Sequence, residues 1–239
     1  MTDDIKINLV RPFGPSILSA KIPDSIVNEI NNYVDQIIIN EEKSSELDFG
    51  NKLAGDVTQE FLIEKDIAEK TGWLNFLASC VSNWLSLDIK KNITKFEVKE
   101  TWVVRQFQNE YNPTHWHGGH ISGAGFLKLP KSFGNHVQDK NKQFQGGNLQ
   151  LINGSRMFLS PSTFNIKPRV GDFYFFPNYL MHTVYPFRDT KEERRSISFN
   201  ATIDDVSRIL DMIEQAFRVS ISGSPGPVHL QFKGNEAQI

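Results

Sequence analysis

Seven short runs of β-branched and aromatic residues, separated by Gly, Pro and Asn, follow one another between residues 95 and 203. The runs are KFEVKETWVVRQF, ISGAGFLKL, GGNLQLI, TFNIKP, DFYFFP, HTVYPF and RRSISFNATI. Runs of this length and composition predict strands, and seven of them in about 110 residues are typical of a sandwich or a barrel. The sequence therefore predicts a β core over residues 95–203.

Helical patterns flank this β region on both sides. Residues 23–38 repeat apolar side chains at helical spacing after the cap candidate Asp24. A second pattern covers residues 72–87 and carries Cys80 on its apolar stripe, which predicts a core position for that thiol. Helical spacing returns over residues 204–219, after the last predicted strand. We therefore expect helices packed against a β core.

The length of 239 residues is enough to bury a core without metal or disulfide support. We expect a single domain over residues 1–239 in three parts. These parts are an N-terminal strand with supporting helices (1–94), the β core (95–203) and a C-terminal helix and tail (204–239).

The charge pattern excludes some partners. Twenty-six Lys and Arg residues against 28 Asp and Glu residues give a formal net charge of −2, without a long basic run, so nucleic acid is not an expected partner. The apolar stretches are far shorter than the roughly 20 residues that cross a bilayer, so no membrane partner is expected. The single Cys80 and an N-terminus without signal-peptide features predict a cytoplasmic location.

Three of the six histidines lie within HWHGGH, residues 115–120. Residues two apart on an extended strand face the same side, so His115 and His117 can direct both imidazoles at one ion, whereas His120 falls on the other face. His182, near the start of another predicted strand, is well placed to supply a third ligand. Three imidazoles, or two and a carboxylate, leave open positions on a divalent iron or similar metal, which is typical of a catalytic site.

The last predicted strand, RRSISFN at residues 194–200, permits two interpretations. In the first, Ile197 and Phe199 enter the core and the polar face lies in water. In the second, Arg194 and Ser196 are buried in a polar cavity, where the guanidinium binds a carboxylate through two hydrogen bonds. Alternation along the strand does not choose between them.

Taken together, these residues resemble the iron(II)- and 2-oxoglutarate-dependent dioxygenases, in a prolyl-hydroxylase-like branch of bacteria and phages whose substrates are mostly unassigned. The resemblance covers about residues 100–200. The first half of the pattern consists of Trp102, Asn112, His115, His117, Ser122, Gly123, Pro130 and Gly146–Gly147. The second half consists of Pro168, Gly171, Phe176, Pro177, His182, Val184, Pro186, Arg194, Ser196, Ser198, Phe199 and Asn200.

This resemblance implies a mainly β fold of the α+β class, a double-stranded β-helix (jelly roll) with helices packed on one sheet. It also implies Fe(II), 2-oxoglutarate as cosubstrate, molecular oxygen and ascorbate, and hydroxylation of a small-molecule or peptide substrate with release of succinate and CO2. By the same resemblance, His115 and His182 bind iron. The residues assigned to the cosubstrate are Arg194, Ser196, Asn112 and Asn200.

The chain departs from the common pattern at His117, where most of these oxygenases have an Asp or Glu. A centre of three histidines carries one negative charge fewer, which weakens iron binding and raises the reduction potential. Alternatively, a carboxylate outside the motif completes the site, with Glu110 and Asp139 as candidates, and His117 lies beside the metal. We expect His117 to be the third ligand.

Two other classes of function remain open from the sequence. A cupin-type metalloenzyme would use the three histidines without 2-oxoglutarate, although the usual cupin Glu after H-x-H is missing. A non-catalytic β-sandwich module would bind a partner and hold a structural metal or none. The C-terminal helix and tail lie beyond the resemblance and are candidates for a subunit contact in a homodimer.

Overall fold

The structure is a computed structural model that describes residues 6–12, 14–90, 92–138, 142–203, 231–233 and 236–238. Its helices are α1 (Asp24–Ile38), α2 (Glu41–Glu46), α3 (Lys65–Lys70) and α4 (Trp73–Ile89), with a 3-10 turn at Gly50–Lys52. The first strands are β1 (Ile7–Val10), β2 (Ile17–Lys21), β3 (Gln59–Leu62), β4 (Phe96–Gln106), β5 (Asn112–His115) and β6 (Ile121–Lys128). The others are β7 (Leu149–Ile152), β8 (Thr163–Ile166), β9 (Asp172–Pro177), β10 (Met181–Val184), β11 (Arg194–Ile203), β12 (Gln231–Lys233) and β13 (Glu236–Gln238).

The strands form two main sheets. The larger sheet has the order β1-β2-β9-β6-β11-β4-β3, the smaller has the order β5-β10-β7-β8, and β12 pairs with β13. Side chains of both main sheets share one apolar cluster, including Phe126 and Phe176 from the larger sheet and Leu149 and Leu151 from the smaller. The seven predicted strands are confirmed as β4 and β6 to β11, and the predicted jelly roll is confirmed; β3 is a strand that the sequence did not indicate.

The two predicted N-terminal helices are confirmed as α1 and α4. Cys80 is fully buried in α4, and burial raises the pKa of its thiol to about 12, as expected for a core cysteine. The helix predicted over 204–219 lies outside the described residues. In the described part of the chain, no helix is long and apolar enough to cross a membrane.

The larger sheet is buried on both faces, which explains the nearly continuous apolar sequence of β9. Phe173 and Phe175 pack against the helices, whereas Tyr174 and Phe176 face the smaller sheet. Strands covered on both sides lose the alternation of apolar and polar residues. The same burial resolves the ambiguity at β11, because Arg194 and Arg195 are 1% and 0% exposed although they point to opposite faces.

An ion-pair network joins α1 to β11 on the helix-covered face. Arg195 Nε donates to Glu193 at 2.7 Å, and its Nη2 donates to Asp35 of α1 at 2.6 Å. Arg105 of β4 also donates to Glu193, through Nε at 2.9 Å. Burial alone would raise the pKa of Glu193, but the two guanidinium groups outweigh it and hold that pKa below its usual value. The network thereby fixes the strand that carries Arg194.

Replacing Glu193 with glutamine should destabilise the fold, because Arg195 and Arg105 would lose their buried counter-ion. We expect a loss of about 3 kcal/mol in unfolding free energy, or a Tm lower by about 6–12 °C. In the wild type, this stabilisation is present at neutral pH and is lost as pH falls below about 4.3 and through the lower native pKa. Denaturant and thermal unfolding measure both effects. The matched exposed change Glu97→Gln, which removes pairs with Lys95 and Lys99, should leave the unfolding free energy close to that of the wild type.

Candidate metal and cosubstrate site

His115 and His182 lie opposite each other on the neighbouring strands β5 and β10. The next pair in the ladder is Asn112 with Val184, so β5 advances three residues where β10 advances two. This irregularity is a β-bulge at Pro113, a residue that has no N–H to donate to the ladder. The pairing places the His115 ring beside the His182 ring, with their centroids 4.3 Å apart.

His117 lies just beyond the end of β5, in a loop that the turn before β10 holds in place. Its N–H donates to Asn178 O at 3.0 Å, and Asn178 Nδ2 donates back to His117 O at 3.0 Å. Trp116 between the two histidines is 66% exposed and faces away from them. No local sequence pattern indicates this role of Asn178, because the contact joins residues that are 61 positions apart in the chain.

The three histidines form one cluster in which the potential ligand atoms lie within 4.8 Å of one another. His117 Nε2 and His182 Nε2 are 3.1 Å apart. Two nitrogens that bind one metal at right angles, with bonds of about 2.1 Å, lie about 3.0 Å apart, so this spacing fits a shared ion. Among the described residues, this is the one group of metal-ligating side chains with such geometry.

Backbone carbonyls set the tautomers of two of these rings. His115 Nδ1 lies 2.7 Å from Pro113 O, and His182 Nδ1 lies 3.0 Å from Leu180 O. A carbonyl only accepts, so each Nδ1 carries the proton and each Nε2 presents its lone pair. This arrangement is typical of histidines that bind a metal through Nε2.

The cluster is electrically neutral at physiological pH. Burial lowers the pKa of His182 to about 3, with a smaller effect from its histidine neighbours. Burial, followed by the proximity of His115, lowers the pKa of His117 to about 4. The pKa of His115 is also lowered by burial. Neutral imidazoles bind metals, so the rings need not lose a proton first.

Arg194 reaches the inner side of the larger sheet, in the second of the two orientations that the sequence permitted. Its Nε donates to Gly147 O at 3.1 Å, its Nη1 donates to Ser196 Oγ at 3.1 Å, and its guanidinium lies 5.2 Å from the centre of the Phe126 ring. Within the described residues, no carboxylate pairs with this guanidinium. Burial lowers its pKa to about 9, so it remains charged at neutral pH.

The histidines and Arg194 line the same cavity between the two sheets. A buried cation without a counter-ion favours an anionic ligand, and the neutral histidines at the other side of the cavity favour a metal. The full lining consists of Trp102, Val104, Asn112, His115, His117, Ala124, Leu149, His182, Val184, Arg194, Ser196 and Ser198. This donor set fits a divalent iron and a dicarboxylate bound together.

Some residues singled out in the sequence lie elsewhere. His120 is outside the cluster, and its Nδ1 accepts from Ile203 N at 3.1 Å. Asn200 does not line the cavity, because its amide bonds Glu100 and Ser122 at 2.7 Å each. Glu110 accepts from Phe107 N at 2.8 Å and is not part of the metal-ligating cluster. The other carboxylate candidate, Asp139, lies outside the described residues.

Comparisons with known proteins agree with this geometry. Residues 100–200 match the family described as "Putative 2OG-Fe(II) oxygenase". The fold is similar to that of a prolyl-4-hydroxylase from Pseudomonas putida, with 12% identity and a TM-score of 0.51 over 80% of this chain and 91% of that one. It is also similar to AviO1 from Streptomyces viridochromogenes, with 13% identity and a TM-score of 0.50 over 79% of this chain and 89% of that one. No curated protein matches the sequence.

The matched segment contains the whole cavity described above, from Trp102 to Ser198. The cavity combines three candidate metal ligands with a buried arginine, which a cupin-type centre without 2-oxoglutarate does not require. The segment that holds this cavity is therefore similar to the 2OG-Fe(II) oxygenases, a family of oxidoreductases.

Proposed function

We propose that the protein hydroxylates an unactivated C–H bond of an organic substrate, with 2-oxoglutarate as cosubstrate and with release of succinate and CO2. The observation that carries this proposal is a single cavity that holds three neutral histidines and one buried arginine without a counter-ion. When bound, the iron and 2-oxoglutarate supply the oxidising chemistry. The chain contributes binding, orientation and exclusion of water.

The proposed ligands are His115, His117 and His182, each through the nitrogen that faces the others. Two of them are held by backbone carbonyls and the third by Asn178, so the cluster is preorganised. Preorganised ligands lose little freedom when the metal binds.

Arg194 is proposed to bind the distal carboxylate of 2-oxoglutarate, with Ser196 as a further donor. Gly147 O and the Phe126 ring orient the guanidinium. Asn112 lines the cavity next to this position and is proposed as a polar contact. The apolar side chains of Leu149 and Val184 line the same cavity and keep water from the bound cosubstrate.

A prolyl residue in a peptide is the proposed substrate. This proposal is supported by the resemblance of the H-x-H and R-x-S motifs to a prolyl-hydroxylase-like branch and by the shared fold with a prolyl-4-hydroxylase. Molecular oxygen is the proposed co-reactant, and ascorbate is proposed to keep the iron reduced. A cytoplasmic location and a homodimer remain predictions.

Succinate release tests the proposed function directly. Purified protein with iron(II), ascorbate, 2-oxoglutarate and oxygen should release succinate, faster with a proline-containing peptide pool than with a matched pool in which alanine replaces proline. Mass spectrometry should find peptides that have gained one oxygen atom. Equal rates with the two pools would contradict a prolyl substrate, and no succinate under any condition would contradict the oxygenase proposal.

A further inference from the structure

Glu60 on the edge strand β3 is a buried carboxyl group that the proposed reaction does not use. It is 2% exposed, and its Oε1 has no hydrogen-bond partner in the part of the chain that the structure describes. Glu60 lies opposite Val104 of β4 in the sheet register, and paired residues point to the same face. Val104 lines the cavity between the sheets, so the Glu60 side chain faces the interior.

The Glu60 carboxyl and the Asn112 amide approach each other where the edges of the two sheets meet. The position that a Cβ would take on Gly55 is 3.0 Å from Glu60 Oε1 and 2.9 Å from Asn112 Nδ2. The two atoms are therefore at most 5.9 Å apart, the sum of these distances. Because Asn112 itself lines the cavity, Glu60 lies directly behind the cavity wall.

A ligand that extends from Arg194 to the histidines passes the row of residues that contains Glu60. On β11 and β4 the paired residues are Arg194 with Gln106 and then Ser196 with Val104. Val104 in turn pairs with Glu60. The row of Ser196 and Glu60 therefore lies between the row of Arg194 and the row of Trp102, whose ring centroid is 5.6 Å from that of His117.

The charges around Glu60 disfavour its ionised form. Asp48, in the turn beside Glu60, adds a negative charge. Asn112, the neighbour of Glu60 on the smaller sheet, is neutral. Arg105 points to the opposite face of the sheet, where it pairs with Glu193. Arg194 of the inner face is separated from Glu60 by the intervening strand β4 and lies in a neighbouring row of the sheet. Burial, and then Asp48, raise the pKa of Glu60 to about 7.

We propose that Glu60 is a further positioning residue of the cosubstrate site and takes up a proton from solvent when 2-oxoglutarate binds. A dianion close to a buried carboxylate is repelled through the cavity wall, whereas the neutral acid does not repel it. One proton is gained by Glu60, and no other bond changes. This inference rests on the proposed binding of 2-oxoglutarate next to Arg194.

The test measures 2-oxoglutarate affinity between about pH 6 and pH 9 in anaerobic iron(II) protein, by calorimetry and by the visible absorption of the iron-bound keto acid. In the wild type, affinity should fall by up to about tenfold per pH unit above about pH 7, because the acid must first be protonated. Calorimetry in two buffers of different ionisation enthalpy should show uptake of up to one proton. Glu60→Gln imitates the neutral acid and should remove both effects.

Two further variants make the test specific. Asp48→Asn removes the neighbouring charge and lowers the Glu60 pKa, so the fall in affinity should begin at a lower pH. Glu97→Gln removes an exposed carboxylate of the same sheet and should behave as the wild type. The affinity ratio of each variant to the wild type is compared at every pH, which cancels the effects of pH on iron binding that the proteins share.

The outcomes separate this inference from the proposed function. If Glu60→Gln and Asp48→Asn both retain the wild-type pH profile and proton uptake, Glu60 is not coupled to the cosubstrate and the inference is overturned. If Glu60→Gln does not fold, the shift in Asp48→Asn decides. If the wild type binds no 2-oxoglutarate at any pH, the proposed cosubstrate site is itself wrong and this inference falls with it.

Discussion

Replacing Arg194 with alanine should abolish 2-oxoglutarate binding and leave iron(II) binding intact. The Arg194 guanidinium is a positively charged hydrogen-bond donor in the cavity lining, and it has no carboxylate partner among the described residues. Removing one partner of a buried charge pair costs about 2–5 kcal/mol, or about 30-fold to several thousand-fold in Kd. The measurement is an anaerobic titration that follows the visible absorption of the chelated keto acid.

Two matched variants complete this experiment. Arg194→Lys keeps the positive charge but loses the planar pair of donors, so its affinity should lie between those of the wild type and the alanine variant. Arg169→Ala removes an exposed arginine and should bind 2-oxoglutarate as the wild type does. Undiminished binding by the alanine variant would show that the dicarboxylate binds elsewhere and would favour a metalloenzyme that does not use 2-oxoglutarate.

Replacing His115 or His182 with alanine should lower iron(II) affinity by more than about 100-fold and abolish succinate release. Each ring supplies one of three neighbouring ligand atoms, and loss of an outer partner of a metal ligand alone costs about 10–100-fold. Metal content after dialysis and titration with iron(II) measure the loss. The control is His136→Ala, because that ring bonds Lys142 O at 2.9 Å, outside the cluster.

Variants of His117 identify the third ligand. If His117 binds the metal, His117→Ala should lose affinity as the other two variants do, whereas His117→Asp should retain iron because a carboxylate is a ligand that iron accepts. We expect this result because the distance of 3.1 Å between His117 Nε2 and His182 Nε2 fits two ligands of one metal ion. Wild-type iron affinity in His117→Ala would instead place His117 beside the metal and require a ligand from outside the cluster.

Local sequence patterns predict much of the fold because burial is periodic along each element. The repeat of apolar residues defines α1 and α4, and β-branched and aromatic runs define the seven predicted strands. The strand β5, which carries His115, is not among the seven predicted runs because it is short, contains Pro113 and is irregularly paired. The clustering of histidines in HWHGGH, together with the resemblance, singled out His115.

The sequence alone determines the types of most elements and, through its motifs, the histidines and the arginine that meet in the cavity. The tertiary structure decides which face of β11 contacts the cavity, because both faces are buried and alternation carries no preference. It also decides that Asn178 holds His117 and that Glu60 lies behind the cavity wall. These contacts depend on the pairing of strands far apart in the chain, which leaves no periodic signal in the residues that make them.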